Sequence, residues 1–288
     1  MNGDINQACR DIITAAGEDS FQRLLHPALE RETWQNLLKE AMEGAVIVFK
    51  ENLKKRLLVP PVRDRRVMAW DPGFRTGCKL ACVSENGTLL EVATIYPTAP
   101  KNDFTGAREK VLELLSKHGI DCIALGNGTA SRESEEFIAG LIKKDRPDLE
   151  YTVVNEAGAS VYSASPVARL EFPDLGVEER SAASIARRLQ DPLAELVKIS
   201  PRALGVGQYQ HDMPVKELDS ALQSTVESCV NTVGVDLNSA SQALLVFVAG
   251  INKTVAGAII AYREKQCRFK SREELLNVTG LGPKIFKQ

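Results

Sequence analysis

The sequence predicts an α/β fold, a mixed five-stranded sheet with helices on both faces, flanked by all-α segments. Three observations predict it. Apolar runs at 67–70, 78–84 and 89–96 lie close together, and the last two flank Asn86-Gly87, the strongest short hairpin signal. Further apolar runs at 122–125 and 151–154 are separated by stretches of helical period at 104–117 and 131–143, the spacing of crossovers between parallel strands. Residues 4–58, and everything beyond Pro192, carry helical period and no convincing strand.

Within residues 1–61, Leu24, Leu25, Leu29, Leu37, Leu38 and Met42 recur at near-helical spacing, and 51–58 continues an amphipathic helix. Pro60-Pro61 stops it, because neither ring nitrogen donates a hydrogen bond and Pro61 drives its predecessor out of the α region. Residues 62–199 hold the sheet: the first strand ends in Asp71-Pro72-Gly73, the hairpin follows, and helices at 157–165 and 177–189 come after the fifth strand. A hairpin first and crossovers afterwards make a mixed sheet. Residues 200–288 read as a helical linker and tail. Pro214 stands where a first helical residue belongs, 215–233 carries an apolar stripe, Asn238 is placed to cap a further helix, and Ser271 with Glu274 forms a capping box.

The composition, 44% hydrophobic and 26% charged over 288 residues, is that of an ordinary globular protein. No apolar run approaches the ~18 residues of a membrane span, and the opening Met-Asn-Gly-Asp-Ile-Asn lacks the basic-then-apolar pattern of a signal peptide. A cytoplasmic protein without a membrane partner is expected. Six cysteines with no Cys-x-x-Cys pair read as reduced, mostly buried thiols. Cys78 and Cys82 share one strand face rather than forming a zinc pair. A net charge of −2 argues against a nucleic-acid binder, but it is unevenly spread. Residues 50–66 hold seven Lys/Arg against two acids, and 250–288 hold eight against three. Two basic stretches on an acidic body are compatible with local phosphate contacts, although on charge alone two solvated faces are the preferred reading.

Asp71 closes the first strand in DPGFRTG. A carboxylate at the carboxyl edge of a central strand faces the crevice where α/β sheets bind ligands, although Asp-Pro-Gly is equally a capped turn. DPGFRTG followed by a hairpin, a helix and a fourth strand resembles the ribonuclease H superfamily, in particular its Holliday-junction resolvase-like, YqgF-type branch. The resemblance implies a ribonuclease-H-like fold and a site built from the first-strand Asp, an acid near the end of the fourth strand, and acids of the last helix. Two Mg²⁺ ions about 4 Å apart need several carboxylates to hold them. Here the fourth strand runs into Gly126-Asn127-Gly128, where Asn127 offers only a neutral oxygen. In the last helix, EERSAASIARRL, Arg180, Ser181 and Ser184 stand where the family's Asp is expected, and a cation there repels a metal. Glu156, with Glu178 or Glu179, remains as a substitute. One good carboxylate is not a two-metal site. The expectation is a catalytically degenerate crevice with Asp71, Asn127, Glu156 and Glu179 as vestigial candidates, no resident metal, and Mg²⁺ only under a nuclease reading.

Ala249-Gly250-Ile251-Asn252-Lys253 joins two predicted helices, and Thr279-Gly280-Leu281-Gly282-Pro283-Lys284 follows 30 residues later. Both resemble the helix-hairpin-helix motif, in which glycines admit a phosphate and free N–H groups at the next helix start donate to it. Gly250, Asn252, Lys253, Gly280, Gly282 and Lys284 are the expected contacts, independent of base sequence and sensitive to salt. A tight turn between helices is the alternative for either copy. The second copy reads as truncated, with Gln288 ending it at a stub of its final helix.

The stretches NLKKRLLVPPV, DPGFRTGCK, GNGTASRE, VNEAGASVYSAS, ARRLQDPLAELVKI, GVGQYQHDM, VGVDLNSAS and VTGLGPK are similar to the central part of the Tex family of bacterial transcription accessory proteins, from about residue 19 onward. That resemblance implies a cytoplasmic RNA- or DNA-binding factor linked to transcription, with more helical sequence before this part and an OB-fold RNA-binding domain after it. His211-Asp212, inside one of those stretches, reads as a hydrogen-bonded pair fastening the interdomain segment in preference to a general base, and Tyr209 reads as buried in preference to stacking on a base. Three functions stay open. Binding of the RNA or DNA backbone leads. A metal-dependent nuclease built on Asp71 with Glu156 or Glu179, and a scaffold whose acidic body meets proteins of the transcription machinery, follow.

Overall fold

The computed structural model describes residues 6–266 and 269–287, which fall into two compact units, Met1–Phe49 and Lys50–Gln288. Helix α1 (Gln7–Ser20), a π-turn (Phe21–Leu25) and most of α2 (His26–Leu57) make up the first. Asn6 caps α1, its side-chain oxygen accepting from the Ala8 N–H at 3.3 Å. Leu24, Leu25, Leu29, Leu37 and Leu38 are all exposed. Helical period identifies an apolar side without supplying anything to cover it.

In the second unit, α2 ends at Leu57, just ahead of the proline pair. Its last turns are anchored by the Asn52 amide donating to the Val206 carbonyl at 2.8 Å and Arg56 donating to the Gly205 carbonyl at 2.9 Å. The sheet consists of β1 (Val67–Asp71), β2 (Cys78–Val83), β3 (Leu89–Ile95), β4 (Cys122–Gly126) and β5 (Glu150–Val154), in the order β3-β2-β1-β4-β5. The β1–β2 and β2–β3 pairs are antiparallel, and the β1–β4 and β4–β5 pairs parallel, as the hairpin-then-crossover pattern requires. Gly87 in the left-handed region closes the β2–β3 turn.

Period-two alternation along β1 splits the core. Met68 and Trp70 point into one layer with Val111, Leu114 and Leu115 of α3 (Phe104–His118) and Ile138 and Leu141 of α4 (Ser131–Lys144). Val67 and Ala69 point the other way, against α7 (Val177–Gln190). Ala69, Ala81 and Ala124 of the sheet meet Ala182, Ala183 and Ala186 of α7, and these small side chains let the helix lie close. Asp71, two residues beyond Ala69, therefore sits on the α7 side.

Several local expectations are corrected. The small-residue helix expected at 157–165 stands as α5 (Ala159–Ala164), and an unexpected α6 (Pro166–Glu171) follows it, because Pro166 has no N–H to continue the first and Ser165 caps the second. After α8 (Pro192–Leu196), Pro214 caps α9 (Val215–Val233) rather than opening it. Asn238 caps nothing. Its side chain accepts the Phe269 N–H at 2.7 Å and donates to the Phe269 carbonyl at 3.1 Å, while Ser241 caps α10 (Gln242–Leu245). Past α11 (Lys253–Gln266), residues Arg272–Asn277 wind as a 3-10 helix. Ser271 makes no capping bond there, and Glu274 reaches the Lys270 N–H instead. The last element is α12 (Pro283–Phe286), and no strand follows Pro192 among the described residues.

Tyr209 is 70% exposed, its φ of 57° turning the side chain outward. His211 and Asp212 approach each other at 3.4 Å and are exposed too, with the His211 ring 6.3 Å from that of Tyr209 and the Asp212 N–H donating to the Tyr209 carbonyl at 3.1 Å. The Gln210 amide does the fastening, donating to the carbonyls of Gly207 at 3.0 Å and Arg202 at 3.4 Å. Cys78 and Cys82 share a buried face of β2, and burial pushes the Cys82 thiol up to about 12 and the Cys122 thiol up to about 11. Neither is a nucleophile at neutral pH.

Candidate functional site

Asp71 ends β1 half-buried, facing Ser181 of α7, whose hydroxyl favours the ionised carboxylate. Burial pushes its carboxyl above the usual range and Glu178 adds to the push, while Ser181, Lys79 and Arg188 oppose it. Beyond β4, the Asn127 side-chain oxygen accepts the Glu156 N–H at 3.0 Å, so this oxygen positions Glu156 rather than facing a ligand. The Glu156 side chain then lies over two glycines. A Cβ on Gly128 would stand 1.8 Å from Oε1, and one on Gly126 would stand 2.5 Å from Oε2. Burial raises the Glu156 carboxyl, and so does Asp71 across the crevice.

Glu179 is elsewhere. Its carboxylate accepts the Gly176 N–H at 2.7 Å and caps α7. Glu178 bonds the Lys79 ammonium at 2.7 Å. Of the four acid-site candidates, the structure brings Asp71 and Glu156 together, gives Asn127 a positioning role and leaves Glu179 outside.

The cation in this crevice is also a different one from that expected. Arg180 points away, donating to the carbonyls of Phe172 at 3.0 Å and Ser163 at 3.5 Å. Ser181, Ser184 and Arg188, spaced i, i+3 and i+7, share the helix side that faces the acids. Arg188 is 3% exposed, with one nitrogen donating to the carbonyls of Asn155 at 2.9 Å and Ala157 at 2.8 Å. Burial lowers its pKa, while Glu195, Glu156 and Asp71 raise it. Sequence reading missed Arg188 and Glu195; the seven-residue step from Ser181 was the available signal.

Two carboxylates beside a guanidinium do not fit a pair of divalent ions, which need several anionic ligands. Among the described residues no group of three or more His, Cys, Asp or Glu is placed to hold a metal. An open groove of about 550 Å³, walled by Phe74, Phe104 and Phe137 among others, lies towards the α3–α4 layer and includes neither acid.

A pH dependence follows. A raised carboxyl binds its proton more tightly in the folded state, so its ionised form costs stability above the ordinary value of 4.5, and the cost fades as pH falls towards that value. Glu156→Gln is therefore expected to be more stable than the parent at pH 7 and to converge with it near pH 4. Urea unfolding across that range is the measurement, and a pH-independent difference would refute the assignment.

The tail builds two matching turns. Gly250 and Gly280 take φ values of 80° and 88°, which only glycine adopts without strain. In each, the next residue bonds back, Ile251 to the Val248 carbonyl at 3.0 Å and Leu281 to the Val278 carbonyl at 3.1 Å. Ile251 and Leu281 are buried anchors, while Gly250, Asn252, Lys253, Gly280, Gly282 and Lys284 are exposed. Asn252 caps α11, accepting the Val255 N–H at 2.9 Å. The turns lie side by side, since a Cβ on Gly280 would stand 3.4 Å from Val255. Arg263 holds the first hairpin to its neighbours through the carbonyls of Leu237 and Ala240. The first turn leads into α11 and the second into α12.

Residues 65–190 match the family model described as the Tex protein YqgF-like domain, and residues 230–288 match that of the helix-hairpin-helix motif. The chain is 52% identical to the protein YdcI of Bacillus subtilis, over 97% of its own length and 39% of that protein's. It is 48% identical to the transcriptional accessory protein Tex of Neisseria gonorrhoeae, over 91% of this chain and 34% of the relative. Human S1 RNA-binding domain-containing protein 1 is 47% identical, over 94% and 27% respectively. The chain thus spans well under half the length of these relatives.

Proposed function

Because the chain is a homologue of the Tex proteins, with a Tex-type YqgF-like domain followed by a helix-hairpin-helix motif, we propose that it grips the RNA or DNA backbone through its paired glycine turns, as part of a cytoplasmic transcription accessory factor. One observation carries the reading. Two left-handed glycines, each followed by a buried anchor and then an exposed lysine or helix start, repeat in one compact region. At α11, a helix long enough to present a useful dipole, exposed backbone and Lys253 converge on the site where a phosphate docks. Such contacts read no bases.

The relatives' names support the direction, one being called a transcriptional accessory protein and another an RNA-binding-domain protein. No helix among the described residues is long and apolar enough to cross a membrane. The crevice is assigned no cleavage, because Arg188 stands among its acids.

The test is fluorescence anisotropy with single- and double-stranded oligonucleotides of RNA and DNA. Binding is expected at 50 mM salt, weakening roughly tenfold or more by 200 mM as counterions compete. No binding at 50 mM overturns the proposal. Mg²⁺- or Mn²⁺-dependent cleavage of branched DNA or RNA, abolished in Asp71→Asn, would replace it with a nuclease.

A further inference from the structure

We propose that Arg188 is the resident cation of the Asp71 crevice, its buried guanidinium taking the electrostatic place of the divalent ions in ribonuclease-H-like nucleases and closing this crevice to them. The inference is independent of the glycine turns.

The argument rests on what surrounds the guanidinium. Arg188 lies on α7, and carboxylates act on it from three other elements: Asp71 at the end of β1, Glu156 after β5 and Glu195 on α8. The other cation acting on Asp71, Lys79, is committed to Glu178 and to the Thr76 and Gly77 carbonyls. Among the described residues one guanidinium nitrogen is hydrogen-bonded, to the two carbonyls that fix the side chain in place. Nε and the second terminal nitrogen are buried without a hydrogen-bond partner among the described residues, as are Glu156 Oε2 and Glu195 Oε1. The guanidinium is thus buried beside wholly or partly buried carboxylates, of which Glu195 also pairs with Lys198 at 2.8 Å, and Coulomb attraction there is screened less than in water.

A guanidinium keeps its proton at any physiological pH, so this positive charge is permanent. An entering divalent ion would meet it, and would compete with it for Asp71 and Glu156. Expelling Arg188 means breaking both carbonyl bonds at Asn155 and Ala157. The glycines at 126 and 128 that admit the Glu156 carboxylate serve to neutralise an arginine rather than to bind a metal.

The experiment uses the whole chain, with Mn²⁺ as the probe, titrated calorimetrically into the parent, Arg188→Gln and Arg188→Lys. The parent and Arg188→Lys are expected to show no Asp71-dependent site. Arg188→Gln is expected to gain one, roughly tenfold or more tighter than anything in the parent and lost again on adding Asp71→Asn. Asp71-dependent binding by the parent overturns the proposal, as does a folded Arg188→Gln that binds no tighter or an Arg188→Lys that binds as Arg188→Gln does.

A second measurement covers the case in which Arg188→Gln folds poorly. Unfolding is followed at the buried Trp70 in a Trp34→Phe background. The fall in the folding equilibrium constant caused by Arg188→Gln is expected to be about tenfold smaller when Asp71→Asn and Glu156→Gln are already present. An equal fall in both backgrounds means that the carbonyl bonds alone matter, which overturns the proposal.

Discussion

Gly77→Ala is expected to cost the sheet domain on the order of 3 kcal/mol or more, combining left-handed strain with a backbone clash. Gly77 has a φ of 79°, and an added Cβ would stand 2.6 Å from the Ile95 carbonyl oxygen and 2.6 Å from the Tyr96 ring. The tyrosine ring can swing aside. The carbonyl cannot, because Ile95 pairs with Cys78 at the start of the β2–β3 ladder, and moving it pulls on the whole register. Urea unfolding read at Trp70 is the measurement. A loss within about 0.5 kcal/mol would show that the turn is slack. The same turn links β1 to β2, so the residue that forces the return strand close also sets where Asp71 faces the crevice.

Reversing both lysines of the glycine turns, Lys253→Glu with Lys284→Glu, is expected to weaken RNA and DNA binding about ten- to a hundredfold at 50 mM salt. The loss should be uniform across sequences, and the slope of log affinity against log salt should fall by roughly two. Both residues are exposed, and neither makes an ion pair among the described residues, so folding stability should move by less than about 0.5 kcal/mol. That separation matters: a binding defect without a folding defect assigns the loss to charge. Unchanged affinity would move the interface away from the turns.

Much of this molecule was legible along the chain. All five strands lie within a residue or two of the apolar runs that predicted them. The Asn86-Gly87 hairpin and the helix stop before Pro60 also stand where read. These signals are local: side-chain alternation, a dipeptide suited to φ > 0, and a missing N–H. Asp71 was legible as a strand terminus, and the paired glycines as turns, for the same reason. Asn238 was not, because its partner Phe269 lies 31 residues away and the local pattern looked like a cap.

The sequence by itself determined the sheet, its mixed sense and the scarcity of acids in the last helix, since each depends on near neighbours. Only the tertiary structure decided which arginine of EERSAASIARRL faces the acids, because the rotation of α7 against the sheet is set by alanines packing against alanines, not by α7 alone. It likewise decided that Glu156 enters the crevice while Glu179 turns back to cap its own helix. Charge type can be read from a string of residues. Which charges meet in low dielectric is settled by packing.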